Sequence, residues 1–139
     1  MLFQPTRDGV RLFFIEVWQK AQHEQIAGFS TLEKMALSII LEHPEYHEAL
    51  ADTQNLHEHF ATEDNFFLHL SLHLALEEQL SIDQPFGIRQ TYLRLLKSMG
   101  DAHEVKHKIL ECLGEVVWES TRLQKPLDSN RYLECIAKL

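Results

Sequence analysis

Apolar residues recur at helical spacing along most of this chain, and few stretches alternate between apolar and polar residues as strands do. The first such stretch predicts a helix over residues 8–22. Its apolar stripe consists of Val10, Phe13, Phe14, Val17 and Trp18. The most apolar stretch predicts a fourth helix over about 63–80. Apolar side chains surround nearly its whole circumference, so we expect this helix to run through the centre of the fold.

Capping residues and prolines predict where two shorter helices begin. Ser30 and Glu33 form a capping-box signature that opens a second helix, which extends to about residue 42. Pro44 suits the first turn of a short third helix, and His43 then lies at or near the N-cap of that helix.

The remaining boundaries complete the predicted architecture. Pro85 is expected to open a fifth helix that ends at about residue 99, with Gly100 as its C-cap. Asp101 and Glu104 resemble the N-cap and N3 residues of a long sixth helix to about residue 124. A last short helix starts near residue 128. The sequence therefore predicts one all-α domain over residues 1–139, an irregular helical bundle of about six to seven helices.

The charge balance excludes two classes of partner. Acidic residues outnumber basic ones by 21 to 13, so the formal net charge is −8. A negative field of this kind repels phosphate backbones and anionic lipid, and the basic residues are scattered without a run. We therefore expect no nucleic acid and no membrane surface as a partner.

The cysteines and the N-terminal residues bear on the compartment. Cys112 and Cys135 form no C-x-x-C motif, and Cys112 shares a helical face with apolar residues. We expect Cys112 to be a buried, inert thiol, which fits a reducing compartment. The first residues lack a basic segment followed by an apolar run, so we expect no secretory signal. The predicted location is cytoplasmic. Trp18 and Trp118 lie among apolar residues at helical spacing and are predicted core anchors.

Histidine spacing is the strongest indication of chemistry in the sequence. Three pairs have an interval of four residues: His43 with His47, His69 with His73, and His103 with His107. This interval places both imidazoles on one face of a helix, about one turn apart, where they can bind one metal ion.

Two of the pairs continue into a carboxylate one turn further along the helix. Glu77 follows His69 and His73, and Glu111 follows the pair of the sixth helix. If the two rows face each other, four imidazoles and one or two carboxylates converge, a ligand set that suits zinc, iron or manganese. His43 and His47 are second-tier ligands, from a helix end over the same cleft. A hydrogen-bond network without metal accounts for the same pattern.

The segment from His103 to His107 also matches the H-E-x-x-H pattern of zinc proteases, in which Glu activates a water. Lys106 places a cation between the ligands, and capping explains Glu104 without catalysis. The zinc hydrolase is therefore the weaker hypothesis. No Gly-rich phosphate loop is present, so the sequence indicates no organic cofactor. The competing hypothesis is a metal-free module that binds a partner protein or a second copy of itself.

Several longer segments together carry a family resemblance over nearly the whole chain. They are Leu2–Arg7, Leu41–His47, Phe67–His73, Glu78–Pro85 and Glu111–Glu115. The chain resembles a family of small bacterial proteins known as domain of unknown function 1841. The resemblance implies a bacterial cytoplasmic protein whose family pattern includes the histidine pairs. It implies no activity, substrate or catalytic residue.

Overall fold

The computed structural model describes residues 8–51 and 66–139, and all regular elements in these ranges are helices. The α-helices are α1 (Asp8–Gln22), α2 (Thr31–Leu41), α3 (His47–Ala51), α4 (Phe66–Ile82), α5 (Ile88–Met99), α6 (Ala102–Leu123) and α7 (Ser129–Ala137). A 3₁₀ helix, Pro44–Tyr46, precedes α3. The predicted all-α fold class is confirmed. Residues 63–65, the predicted start of the fourth helix, lie outside the described residues.

The chain divides into two compact units, and the division falls within helix α4. The N-terminal unit comprises the described residues up to Ala75, and the C-terminal unit comprises Leu76–Leu139. The prediction of one domain over residues 1–139 stays a prediction. In the described part of the chain, no helix is both long enough and apolar enough to cross a membrane.

The N-terminal unit is built on contacts of α1 with α2 and α3. Helix α2 begins as the sequence predicts, because the Ser30 hydroxyl accepts from the Glu33 amide while the Glu33 carboxylate accepts from the Ser30 amide. The core includes side chains from α1, α2, α3 and the first half of α4. Its fully buried members include Phe14, Ala36, Ile40, Leu50, Leu70 and Leu74.

The C-terminal unit is built on α6, which packs against α5 and α7. Its buried side chains include Leu95, Val105, Ile109, Leu113 and Ile136. One polar contact lies within this apolar interior: the Tyr132 hydroxyl donates to Gln79 Oε1 at 2.7 Å, and both residues are buried. This hydrogen bond satisfies polar groups that would otherwise be costly to bury.

The predicted start of the fifth helix is wrong by three residues. Helix α5 begins at Ile88, with Gly87 at its N-cap in the left-handed region, where φ is 96°. Pro85 lies before it, in the turn after α4. The turn is held by Arg89, whose side chain donates to the carbonyls of Leu80 and Ser81. These contacts satisfy carbonyls at the end of α4, so the chain turns before it re-enters a helix.

Two side-chain predictions on α6 are wrong. Trp118 is 59% exposed and stacks with Arg122, whose guanidinium carbon lies 4.9 Å from the ring centroid. Trp18, by contrast, is buried as predicted. Cys112 is no free thiol, because it forms a disulfide with Cys135 of α7 across a Cα–Cα distance of 5.8 Å. Packing of α6 against α7 brings together cysteines that are 23 positions apart. Because disulfides form and persist mainly in oxidising compartments, the cysteines no longer support the predicted cytoplasmic location.

Candidate metal centre

Helix α4 supplies two imidazoles in the N-terminal unit. His69 and His73 are separated by about one helical turn, and their ring centroids lie 4.7 Å apart. His73 is 1% exposed and His69 is half-buried. The predicted sharing of one helix face by this pair is therefore confirmed, on a helix whose residues 70–76 are all buried.

The third imidazole comes from the junction between α2 and the 3₁₀ helix. His43 is 1% exposed, and its Nδ1–H donates to the Ile39 carbonyl at a distance of 2.8 Å. A carbonyl can only accept, so this hydrogen bond assigns the proton to Nδ1. In neutral His43, Nε2 is therefore the nitrogen that carries a lone pair. Pro44 follows at once and begins the 3₁₀ helix, so His43 is held at the cap position that the sequence predicts.

The three rings converge on one small region. The Nε2 atoms of His43 and His69 lie 3.3 Å apart, and the ring centroids of His43 and His73 lie 4.6 Å apart. One ligand nitrogen from each of the three side chains can be chosen so that all lie within 4.8 Å of one another. A group of imidazole nitrogens this close could hold a metal ion.

Aromatic side chains line this group. The Tyr46 ring stacks on the His43 ring with a centroid separation of 5.6 Å, and on the Phe66 ring at 5.2 Å. Burial, and then the charge of Glu45, raise the pKa of the Tyr46 phenol above its usual value. The phenol therefore stays neutral at physiological pH.

His47 has different contacts from His43, although the two form one of the predicted pairs. A hydrogen bond of 2.8 Å joins His47 Nε2 to the carbonyl of Ile40, and the ring lies 4.2 Å from that of Trp18. The pair is split because the 3₁₀ turn that begins at Pro44 interrupts the α-helical periodicity between the two residues.

The other predicted ligands belong to the C-terminal unit. His103 and His107 are half-buried, with ring centroids 4.1 Å apart on α6. Glu77 forms an ion pair with Lys106, with 2.6 Å between Oε1 and Nζ. Glu111 is exposed. Neither carboxylate belongs to the histidine group. Lys106, the cation that makes the zinc protease hypothesis weaker, is thus the ion-pair partner of Glu77, a predicted metal ligand.

Glu104 is exposed in the first turn of α6. Its backbone amide donates to the Asp101 carboxylate, as does that of His103, which confirms Asp101 as the N-cap. The position of Glu104 near the helix N-terminus has a structural explanation, since acidic residues are favourable there.

The sequence ranked His43 below the pairs of the fourth and sixth helices, yet His43 contacts both histidines of α4. The available signal was the position of His43 immediately before Pro44, which fixes its backbone at a helix start. The contact with α4 is tertiary, so helical spacing alone does not reveal it.

Comparison with known proteins adds one match. The model of a family described as Domain of unknown function (DUF1841) matches residues 6–138. No curated protein matches the chain, and no solved structure matches it.

Proposed function

The chain belongs to the DUF1841 family, as the sequence resemblance predicts, and we propose that it binds a transition-metal ion through His43, His69 and His73. The observation that carries this proposal is the convergence of three imidazoles from two separate elements, with two of the three side chains almost wholly buried. Histidine is the commonest metal ligand in proteins, and a group of three imidazoles offers one ion several nitrogens at once.

The spacing of the nitrogens supports the proposal. Zinc binds histidine nitrogen at about 2.0–2.1 Å in tetrahedral sites, so two ligand nitrogens lie about 3.4 Å apart. The Nε2 atoms of His43 and His69 are 3.3 Å apart. One nitrogen of His73 lies within 4.8 Å of a nitrogen of each of the other two histidines.

The orientation of His43 supports it as well. Metal-binding histidines usually donate their second ring N–H to a carbonyl or carboxylate, which fixes the tautomer and the ring plane. The hydrogen bond from His43 Nδ1 to the Ile39 carbonyl has this form. It directs the lone pair of Nε2 towards His69.

The donor set narrows the choice of metal. Imidazole nitrogen suits zinc, copper, iron and nickel, whereas manganese favours oxygen ligands. Among residues 8–51 and 66–139, no carboxylate joins the histidine group. We therefore propose zinc or iron over manganese, the third metal that the sequence suggests.

Further ligands named from the sequence remain part of the proposal. Three protein nitrogens leave a fourth position of a tetrahedral ion for another side chain or for water. The sequence names His103 and His107 for that position, with Glu111 or Glu77. His47, a second-tier ligand from the sequence, has its Nε2 on the Ile40 carbonyl. A water in the fourth position would be activated for hydrolysis. If the bound ion is iron, oxygen could bind in the same position. In the weaker zinc hydrolase hypothesis, Glu104→Gln would abolish peptidase activity.

The test measures metal in the purified protein. The untagged chain is stripped with chelator, reloaded with zinc or iron(II), dialysed and analysed for elements. We expect about one ion per chain and a higher Tm for the loaded protein. His73→Ala should lower the metal affinity at least tenfold, whereas the control His23→Ala changes an exposed histidine and should not. His103→Ala and His107→Ala, measured in parallel, test the two histidines that the sequence names on the sixth helix.

The metal-free network makes the opposite prediction. In that case His69 Nε2–H donates to the lone pair of His43 Nε2, and the 3.3 Å contact is a hydrogen bond. A stripped protein that takes up neither metal, with a Tm that zinc and iron leave unchanged, would establish the network and refute the metal site.

The interaction module remains the second candidate because one apolar side chain is unusually exposed. Phe86, in the turn before α5, is 82% exposed. We propose a second copy of the chain as the first partner to test. Light scattering over a range of concentrations should detect self-association, and Phe86→Ser should reduce it. A monomer at every concentration would contradict this candidate.

A further inference from the structure

The two cysteines of the disulfide between α6 and α7 differ in exposure. Cys112 is 3% exposed, on the face of α6 that is buried in the C-terminal unit. Cys135 is only half-buried. A thiolate from solution must reach a sulfur before it can break the bond, so attack is expected at the more exposed cysteine, Cys135.

Cys135 also lines an open cleft of about 320 Å³. The other residues that line it are Glu115, Arg131, Glu134 and Lys138. The volume lies at the lower end of the range for small-molecule sites. The lining offers two cations and two carboxylates, which complement a small molecule that itself carries both signs of charge. Arg131 is partly engaged, since it forms an ion pair of 2.7 Å with Glu119.

We propose that Cys135 is a site of thiol–disulfide exchange for a small zwitterionic thiol that binds in this cleft. The thiolate of the small molecule attacks Cys135 Sγ and forms a mixed disulfide with it. The bond between Cys135 Sγ and Cys112 Sγ breaks, and its electron pair leaves on Cys112. The Cys112 thiolate then takes a proton from water and becomes a buried thiol, because an apolar environment disfavours its charge.

The exchange has a structural consequence in the C-terminal unit. Once the cross-link is opened, α7 is held by its noncovalent contacts alone. These include the buried side chains of Tyr132 and Ile136 and the ion pair of Arg131. The concentration of the thiol in solution would therefore determine whether α7, a helix of nine residues, is covalently attached to α6.

Peptide mapping of the native protein tests the site of attack. The oxidised, untagged chain is incubated with reduced glutathione as the probe, quenched with acid, alkylated and digested. We expect the glutathionyl group on Cys135 and the alkyl group on Cys112. Glutathionylation of Cys112, or reaction only after denaturant is added, would overturn the proposal.

A charge reversal tests the role of the cleft. Lys138→Glu should slow the reaction with glutathione about two- to fivefold relative to the reaction with neutral 2-mercaptoethanol. The ratio of the two rates separates a charge effect from a general loosening of α7, which would raise both rates. Lys97→Glu on α5 makes the same change of net charge at an exposed position that does not line the cleft. Equal ratios in the two variants would show that the thiol does not use this cleft.

Discussion

At the scale of single residues, His43 and His47 show that identical spacing does not imply identical roles. His43 uses Nδ1 to hold the Ile39 carbonyl and has Nε2 beside His69. His47 instead uses Nε2 on the Ile40 carbonyl. The two rings thus use different nitrogens for their backbone hydrogen bonds, and of the two residues His43 is the one that belongs to the histidine group.

Replacing His47 should separate stability from metal binding. His47→Ala removes the hydrogen bond to the Ile40 carbonyl and the ring contact with Trp18, so we expect the free energy of unfolding to fall by about 1–2 kcal/mol. Elemental analysis should still find the metal content of the unaltered protein. Loss of metal in this variant, with the fold retained, would make His47 a ligand after all.

Tyr132 should make the protein sensitive to alkali. Burial raises the pKa of its phenol far above the ordinary value near 10. The part of the free energy of unfolding that depends on a neutral Tyr132 phenol is therefore fully present below pH 10. It is lost as pH rises further, by about 1.4 kcal/mol per pH unit, because the unfolded chain ionises first. Denaturant titrations between pH 8 and pH 11 measure this slope.

Tyr132→Phe is the matched control for the alkaline effect. The variant loses the hydrogen bond to Gln79, so it should be less stable at pH 8 by about 1–3 kcal/mol. Its stability should fall less steeply above pH 10 than that of the unaltered protein. Parallel curves for the two proteins would contradict the assignment to Tyr132.

At the scale of elements, the sequence predicted where helices begin better than it predicted what the side chains of each helix contact. The capping box of Ser30 and the N-cap of Asp101 are local, since each cap contacts backbone only a few residues away. Side-chain partners across the fold were harder. Trp118 and Cys112 both lie on α6 among apolar residues, and no local pattern shows that the first is exposed and the second is cross-linked.

The same distinction applies to the candidate site. The face shared by His69 and His73 follows from helical geometry alone. The contact of His43 with that face, and the ion pair of Glu77 with Lys106, depend on how elements pack. Spacing therefore identified the residue types and one helix face, while the choice of ligands required tertiary structure.

The cross-link between α6 and α7 should contribute measurably to stability. A disulfide that closes a loop of this size, 23 positions in sequence, typically stabilises the folded state by about 3 kcal/mol. We expect the free energy of unfolding to drop by about this amount in reductant. The double variant Cys112→Ala, Cys135→Ala should be less stable than the oxidised protein and indifferent to reductant. Equal stability of oxidised and reduced protein would show that the disulfide contributes little.

At the scale of the whole molecule, metal binding should make stability depend on pH in the mildly acidic range. Imidazole must be unprotonated to bind a metal, and it titrates near pH 6.5 in model peptides. The stabilisation by zinc should therefore be present at neutral pH and lost below about pH 6. The measurement compares Tm with and without zinc from pH 7.5 to pH 5. An increment that stays constant over this range would contradict histidine ligands.

The contrast between the two tryptophans, one buried in the N-terminal unit and one exposed on α6, has a practical use. Indole fluorescence shifts towards longer wavelengths when the ring passes from an apolar interior into water. Trp118→Phe would leave Trp18 as the sole indole. Its emission would then follow the unfolding of the N-terminal unit alone. Trp18 thus provides an intrinsic optical probe, without any attached dye, of whether metal stabilises the N-terminal unit against unfolding.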